Sequence, residues 1–211
     1  VRALDNRRNK VADNARYPVL NATKTKQVLI VGGGDSVKEH INAISEFLEN
    51  NAGMKIIFAT ARHASLFTDL INDKIFCLVG NEAKRMKSLV SADEFNGICV
   101  LPPYPRTMGT EVPEYAVNQT FELHEIAFTK SFLDSCTTTA LKCAIEYDAD
   151  DVYVVGYDGY RGAVLSDKEA DLTNENRTLF DDFKAQTGKE IISLVPTLYN
   201  SLKVISIYQY L

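Results

Sequence analysis

The sequence lacks the short motifs that mark several common catalytic and metal sites. Its four cysteines form no C-x-x-C pair, and its three histidines form neither His-x-His nor His-x-x-x-His. We therefore expect neither zinc nor thiol-redox chemistry, and no metal site. A Gly-x-Ser-x-Gly elbow is also absent, so a serine-hydrolase triad has no starting point.

Long apolar runs are missing as well. No stretch approaches the roughly 20 residues of a membrane helix, and the first residues show no signal-peptide pattern. Cys77, Cys99, Cys136 and Cys143 are expected to be buried free thiols of a reducing compartment. We therefore expect a cytoplasmic protein with no membrane partner. Because residue 1 is Val rather than Met, we also expect the chain to be part of a longer protein.

Net positive charge is lacking, except at the start of the chain. The whole chain carries −5, whereas residues 1–26 hold seven basic and two acidic residues, a net +5. An acidic protein is a poor partner for nucleic acid, because neutralising phosphates supplies most of that affinity. Residues 1–26 are interpreted as a basic arm, either a solvated linker or a segment that docks on the acidic body or on a partner.

Apolar runs typical of buried strands alternate with helical patterns after residue 26. Strands are predicted at residues 27–31, 55–60, 74–79, 97–101, 151–156, 190–195 and 204–208, with an extended segment at 121–128. Helices are predicted from a capping box at Ser36 to Leu48, and at residues 64–71, 82–90, 131–147 and 167–186. This alternation predicts one Rossmann-like α/β domain over residues 27–211, with a mostly parallel sheet and helices on both faces.

A glycine-rich turn follows the first strand. Gly32, Gly33, Gly34, Asp35 and Ser36 lead into a predicted helix, where backbone N–H groups and the helix dipole favour an anion. The third glycine of the dinucleotide fingerprint, a Walker lysine and an acid after the second strand are all missing, which disfavours ordinary NAD binding. The alternative is a tight turn that needs glycine for structural reasons alone.

Other polar residues follow later strands at the same predicted edge of the sheet. Arg62 follows the second strand and is a candidate contact for phosphate or carboxylate, or a solvated side chain. Asn81 follows the third strand and is a ligand contact or a helix cap. Gly156 and Asp158 follow a later strand, where Asp158 is expected to accept from a sugar or ribose hydroxyl, or to form an Asp-Gly turn.

A long loop follows the strand that ends at Leu101. It carries Tyr104 and Arg106 among four prolines over residues 102–119, and long irregular loops often carry function. Arg106 is a second candidate for neutralising an anion. The alternative is a rigid cover over the edge of the sheet, or a contact to another domain.

Two short strings resemble a known Rossmann-like group. The segment VLIVGGGDSVK at residues 28–38 resembles the "GxGPSL" opening of a group that includes bacterial sialyltransferases and flagellin-associated, pterin pyrophosphokinase-like domains. Asp35 stands where that group has Pro. The segment VGYDG at residues 155–159 looks like the group's second element. The resemblance implies that the glycine turn contacts a nucleotide or nucleotide sugar.

A second resemblance extends over the whole chain. The strings DNRRN at residues 5–9, CVLPPYPR at 99–106 and SLVPTLY at 193–199 look like the region after the catalytic barrel in bacterial aldolase-type proteins. Those belong to the pyruvate carboxyltransferase and hydroxymethylglutaryl-CoA lyase-like (DRE-TIM metallolyase) superfamily. The resemblance implies a C-terminal accessory domain whose partner is the barrel of the same chain, and no catalytic residue of the barrel carries over.

Three functions follow from these observations. The first is an accessory, non-catalytic domain that binds a small anionic ligand, phosphorylated or a nucleotide, at the carboxyl ends of the strands. The second is transfer of a sugar or phosphoryl group from a nucleotide donor, with Tyr104, Asp158 or His124 as candidate bases. The third is a structural module that orders a homo-oligomer or docks the barrel.

Overall fold

One parallel sheet forms the centre of the protein. The computed structural model describes residues 15–106, 110–160 and 164–211. Its strands are β1 (Gln27–Val31), β2 (Lys55–Phe58), β3 (Lys74–Cys77), β4 (Ile98–Leu101), β5 (Thr120–Glu122), β6 (Asp151–Val155), β7 (Ile191–Ser193) and β8 (Lys203–Val204). They pair in the order β5-β4-β3-β2-β1-β6-β7-β8, and every pairing is parallel. The predicted Rossmann-like α/β class is confirmed.

Helices cover both faces of this sheet. They are α1 (Ser36–Glu39), α2 (Ile41–Glu49), α3 (Glu82–Leu89), α4 (Cys136–Glu146) and α5 (Asp167–Thr187), with 3-10 helices at Ala61–Phe67, Glu114–Gln119 and Ile207–Gln209. One apolar layer joins α2, α3 and the Ala61–Phe67 helix to the sheet, and the other joins α4 and α5. Alternate residues of each central strand enter opposite layers, as Leu29 and Ile30 do, which explains why these strands are apolar throughout.

The first predicted helix differs from the observed one. Ser36 is the first helical residue rather than the cap, and its N–H and hydroxyl both donate to Asp158 instead of taking part in a capping box; Asp35 precedes the helix and makes no side-chain cap bond. The helix breaks at His40, whose Nδ1 lies 3.0 Å from the Tyr208 hydroxyl, and resumes as α2. The predicted capping box at Ser36 is therefore wrong.

Several further predicted elements are shorter than expected, among them the helix predicted at residues 131–147, which is Cys136–Glu146. The helix predicted at residues 64–71 is the 3-10 helix Ala61–Phe67, and the extended segment at 121–128 contributes only Thr120–Glu122 to the sheet. The strand predicted at residues 204–208 is the two-residue β8, followed by a 3-10 turn.

Residues 15–26 pack against the domain. Val19 forms a parallel bridge with Glu122 on β5, and the Leu20 N–H donates to the Glu122 carbonyl at 2.8 Å. The buried Glu122 carboxylate also accepts from Arg16 Nε at 2.8 Å and Arg106 Nη2 at 2.6 Å. We call residues 15–20 the edge strap, because they cover the outer side of β5. The basic residues before Ala15 lie outside the described residues.

The strand order reverses at β1, which is the topological switch point of the sheet. From β1 the strands are added outward through β2 to β5, and the chain then returns to place β6 on the other side of β1. In open α/β sheets a crevice forms at such a switch point, beyond the carboxyl ends of the two strands. The predicted glycine turn and Gly156 follow these two strands.

Candidate functional site

The glycine loop (residues 32–36) is tied to the turn after β6. The Gly32 N–H donates to the Val155 carbonyl, and the Gly34 N–H donates to the Gly156 carbonyl, both at 2.8 Å. Gly156 has φ +74, and a Cβ on Gly32 would lie 2.5 Å from the Gly156 oxygen, so the two turns meet backbone to backbone. Small residues are needed here for close approach and for the left-handed backbone conformation.

Asp158 lies at the crevice, but its carboxylate is already bonded to the start of α1. Its carboxylate accepts from the Ser36 N–H at 3.0 Å and, through its other oxygen, from the Ser36 hydroxyl. The predicted proximity of Asp158 to the glycine loop is therefore observed. The donors of Gly34 and Ser36, which were expected to face a ligand, are used within the protein.

Arg62 and His63, which follow β2, bond to carbonyl groups of the glycine loop. Arg62 Nη1 donates to the Gly33 carbonyl at 2.8 Å, and its Nη2 lies 3.2 Å from the Asp35 carboxylate. His63 is only 1% exposed, and its Nε2 lies 3.0 Å from the Gly34 carbonyl. Burial lowers the pKa of His63, an effect opposed by the Gly33 and Gly34 carbonyls and reinforced by the charges of Arg62 and Lys38. The imidazole is therefore held neutral.

A second arginine lies at the carboxyl end of β3. Arg85 on α3 pairs with the buried carboxylate of Glu82 and donates to Thr60 Oγ1 at 2.7 Å. Glu82 also accepts from the Ala61 N–H at 2.9 Å, which joins α3 to the segment that carries Arg62. Each arginine is paired with a carboxylate of the lining, Arg62 with Asp35 and Arg85 with Glu82; we call Arg62 and Arg85 the cationic wall of the crevice.

Across the crevice, four residues provide neutral hydrogen-bonding groups beside the charged Asp134, Lys168 and Glu175. The Thr137 hydroxyl on α4 donates to Asn176 Oδ1 at 2.8 Å and lies 3.3 Å from the Tyr157 hydroxyl. Asn176 on α5 donates to the Tyr199 hydroxyl at 3.1 Å. Burial is the largest influence on both tyrosines and raises the pKa of each, so both hydroxyls are neutral at physiological pH. We call these four residues the neutral wall.

These elements enclose a crevice of about 800 Å³, a size typical of small-molecule sites. Eight of the predicted site residues line it: Gly32, Gly33, Gly34, Asp35, Arg62, Asn81, Gly156 and Asp158. Ser36 is buried beside it, bound to Asp158. Asn81 precedes α3, but its side chain makes no cap bond, so the helix-cap interpretation is not supported.

Three other candidates lie elsewhere. Arg106 is buried against Glu122, and Tyr104 stacks under the Arg16 guanidinium, whose Cζ lies 4.7 Å from the ring centre. Both belong to the contacts of the edge strap, and neither lines the crevice, because the loop they occupy follows β4, which lies three strands away from β1 toward the β5 edge of the sheet. His124 is exposed after β5 and is also absent from the lining. The part of the long loop at residues 107–109 lies outside the described residues.

The structure adds lining residues that pattern reading did not identify. Lys168, Leu172, Glu175 and Asn176 share one face of α5, and Asp134, Cys136 and Thr137 lie around the start of α4. The helical spacing of the α5 residues was the available signal. This spacing could be assigned to the site only once the structure showed that α5 lines the crevice.

The thiols differ from the expectation at one position. Cys77, Cys99 and Cys143 are buried, and burial raises the pKa of Cys99 to about 12, whereas Cys136 is partly exposed in the crevice. In the described ranges, no three His, Cys, Asp or Glu side chains group as a metal site. No helix within those ranges is long and apolar enough to cross a membrane.

Comparison with solved structures gives a likeness in fold. No protein-family model and no curated protein matches the chain. Among solved structures, the chain is similar to a MAf glycosyltransferase from Magnetospirillum magneticum AMB-1, with a TM-score of 0.60 and 14% identity. The match covers 93% of this chain and 36% of that protein, so the chain spans about a third of its length. This likeness shows a shared fold and gives no support to the aldolase resemblance.

Proposed function

We propose that the chain is the nucleotide-sugar-binding domain of a sugar-transferring enzyme, with the donor held in the crevice between β1 and β6. The observation that carries this proposal is that one crevice of about 800 Å³ is lined by two arginines on one side and by four neutral hydrogen-bonding residues on the other, together with charged side chains on both sides. A nucleotide sugar has the same division, because its phosphates are anionic while its sugar and base offer neutral donors and acceptors. The shared fold of a glycosyltransferase agrees with this.

The phosphates belong on the cationic wall. Arg62 is about half exposed, and its pair with the exposed Asp35 is of the kind that contributes at most about 1 kcal/mol. A phosphate can therefore replace the Asp35 carboxylate at low cost and gain bidentate contact with the guanidinium. Arg85 is held in place by Glu82 and adds a second positive charge.

The sugar and base belong on the neutral wall. Asn176 uses its oxygen toward Thr137 and one amide hydrogen toward Tyr199, which leaves hydrogen-bonding capacity on the amide. Hydroxyl and amide groups fixed in this way recognise sugar and base edges without adding charge. Among the proposed bases, only Asp158 lies at the crevice, and its bonds to Ser36 favour a role in holding the loop.

The test is a thermal-shift panel of UDP-glucose, CMP-N-acetylneuraminate and nucleoside di- and triphosphates, followed by calorimetry. We expect binding by at least one nucleotide sugar, with stabilisation that grows with ligand concentration. Arg85→Gln should weaken binding about tenfold, the loss of one charged hydrogen bond. Lys87→Gln, an exposed change on the same helix, should leave binding unaltered.

Transfer itself is tested by hydrolysis of the bound donor. Release of free sugar that is lost in Arg85→Gln supports a catalytic domain. Binding without hydrolysis supports a donor-holding domain whose acceptor groups lie on another part of the protein. Absence of binding at millimolar concentration in every member of the panel contradicts the proposal.

A further inference from the structure

His63 lies beneath the glycine loop and touches its backbone. It follows β2 on the Ala61–Phe67 helix, is 1% exposed, and does not line the crevice. The Gly34 carbonyl can only accept, so the proton of the neutral ring must lie on Nε2, 3.0 Å from that oxygen. The other ring nitrogen, Nδ1, is buried and has no hydrogen-bond partner among the described residues.

Two bonds hold the Gly34 carbonyl and so set the direction of the next N–H group: the shorter, 3.0 Å, comes from His63 Nε2, and the longer, 3.4 Å, from the Val37 N–H. The C=O and N–H of one trans peptide unit point in opposite directions. With the Gly34 carbonyl held toward the buried ring, the Asp35 N–H points away from that ring, and Asp35 itself lines the crevice. The preceding peptide unit is held separately, by Arg62 on the Gly33 carbonyl and by Gly156 on the Gly34 N–H.

We infer that His63 is a positioning residue for the ligand: its neutral imidazole fixes the Gly34–Asp35 peptide so that the Asp35 N–H is presented to a phosphate oxygen. This inference rests on the proposed nucleotide-sugar site and assigns its loop-side donor. The Arg62 guanidinium contacts the same phosphate, and its ion pair with Asp35 is broken when it does so.

Protonation of His63 would oppose this arrangement. The imidazolium would carry a second N–H, at Nδ1, with no acceptor, and would lie among the positive charges of Arg62 and Lys38. Three carboxylates lie on the neighbouring elements: Asp35, which pairs with Arg62, Glu82, which pairs with Arg85, and Asp158, which accepts from Ser36. Because the pKa of His63 is lowered by burial, the ring stays neutral at pH 7 and gains its proton only in more acidic solution.

Two variants separate positioning from packing. His63→Gln can place an amide N–H near the position of Nε2, and it does not titrate. His63→Leu fills the space without a donor. Amide hydrogen exchange of Gly34 and Ser36, measured without ligand, should stay slow in His63→Gln and become about tenfold faster in His63→Leu. Exchange in β1 and α4 serves as the control for folding.

Binding supplies the second measurement. The probes are UDP-glucose and CMP-N-acetylneuraminate, whose phosphates do not titrate between about pH 5 and 8. At pH 8 we expect binding about tenfold weaker in His63→Leu, the loss of one hydrogen bond, and within about threefold of wild type in His63→Gln. Between about pH 7.5 and 5 the wild-type affinity should fall while that of His63→Gln stays level.

The outcomes distinguish this inference from the proposed function. Equal binding by wild type and His63→Leu overturns the role of His63 and leaves the nucleotide-sugar site standing. Faster loop exchange in His63→Leu without weaker binding also overturns it. If wild type binds neither probe, the proposed site and the role of His63 both fall.

Discussion

Gly34 lies directly against the Asp158 carboxylate. A Cβ at this position would overlap the carboxylate atoms, whereas a Cβ at Gly33 would meet Thr60 Cγ2 at 3.4 Å, an ordinary contact. We therefore expect Gly34→Ala to destabilise the protein by about 1–3 kcal/mol, the usual cost of forcing an atom into a packed site. Thermal or urea unfolding of the two alanine variants makes the comparison, with Gly33→Ala close to wild type.

The same pair of variants tests how the loop is held. Gly34→Ala should also speed amide exchange at Ser36, because displacing Asp158 removes the acceptor of that N–H. Equal stability of Gly33→Ala and Gly34→Ala would show that Asp158 moves aside without cost, and that the contact does not fix the loop.

The site residues were predictable only where they follow strands. Gly32, Arg62 and Asp158 come directly after apolar runs, and the carboxyl ends of parallel strands meet at one edge of a sheet. Arg106 also follows a strand, but it reaches a buried carboxylate, Glu122, and not the crevice. The difference depends on a partner more than ten residues away in sequence, which no local pattern reveals.

At the scale of elements, the edge strap depends on one buried charge. The side chains of Arg106 and Glu122 are 1% and 2% exposed, whereas that of Arg16 is 65% exposed. Removing one partner of a buried pair typically costs 3–5 kcal/mol, so Arg106→Met should lower the unfolding free energy by about 3 kcal/mol, since Arg16 still contacts Glu122. Denaturant unfolding measures this loss.

Arg16→Gln is the matched control for the strap. It removes an exposed partner of the same carboxylate, and we expect a loss below about 1 kcal/mol. If both substitutions cost the same small amount, the strap is held by its backbone bridge at Val19 and not by the ion pair.

Helix α5 begins at a full capping box. The Ser166 hydroxyl accepts from the Glu169 N–H, and the Glu169 carboxylate accepts from the Ser166 N–H at 2.8 Å. Ser166→Ala should destabilise the protein by about 1 kcal/mol, the typical value of such a cap. Ser166→Asp, which can still cap, should recover most of this in the same thermal-unfolding measurement. No recovery would indicate that the start of α5 frays without cost.

Secondary structure was most predictable where a strand is buried on both faces. The strands β1 and β6 are buried on both faces, and their continuous apolar runs identified them to within a residue. The capping pattern at Ser36 failed because the Ser36 N–H, which a capping box assigns to Glu39, donates instead to Asp158, a residue 122 positions away. The short β8 was overestimated because its apolar neighbour Ile207 turns into the core as part of a 3-10 helix.

At the scale of the whole molecule, stability should be graded from the centre of the sheet to its edges. β1 is paired on both sides, to β2 and β6, and residues 28–31 are buried. At one edge β8 contributes two exposed residues, and at the other edge the strap adds a single bridge beside β5. Local opening therefore costs little at both edges and requires nearly complete unfolding at the centre.

Native-state hydrogen exchange measures this gradient. Amides of β1 and β6 should exchange at the rate set by global unfolding, and their apparent free energies should fall together with denaturant. Amides of β8 and of residues 19–20 should exchange through smaller openings that depend weakly on denaturant. Because the crevice is built on β1 and β6, this pattern would place its backbone frame in the most stable part of the protein; β8 exchanging as slowly as β1 would contradict it.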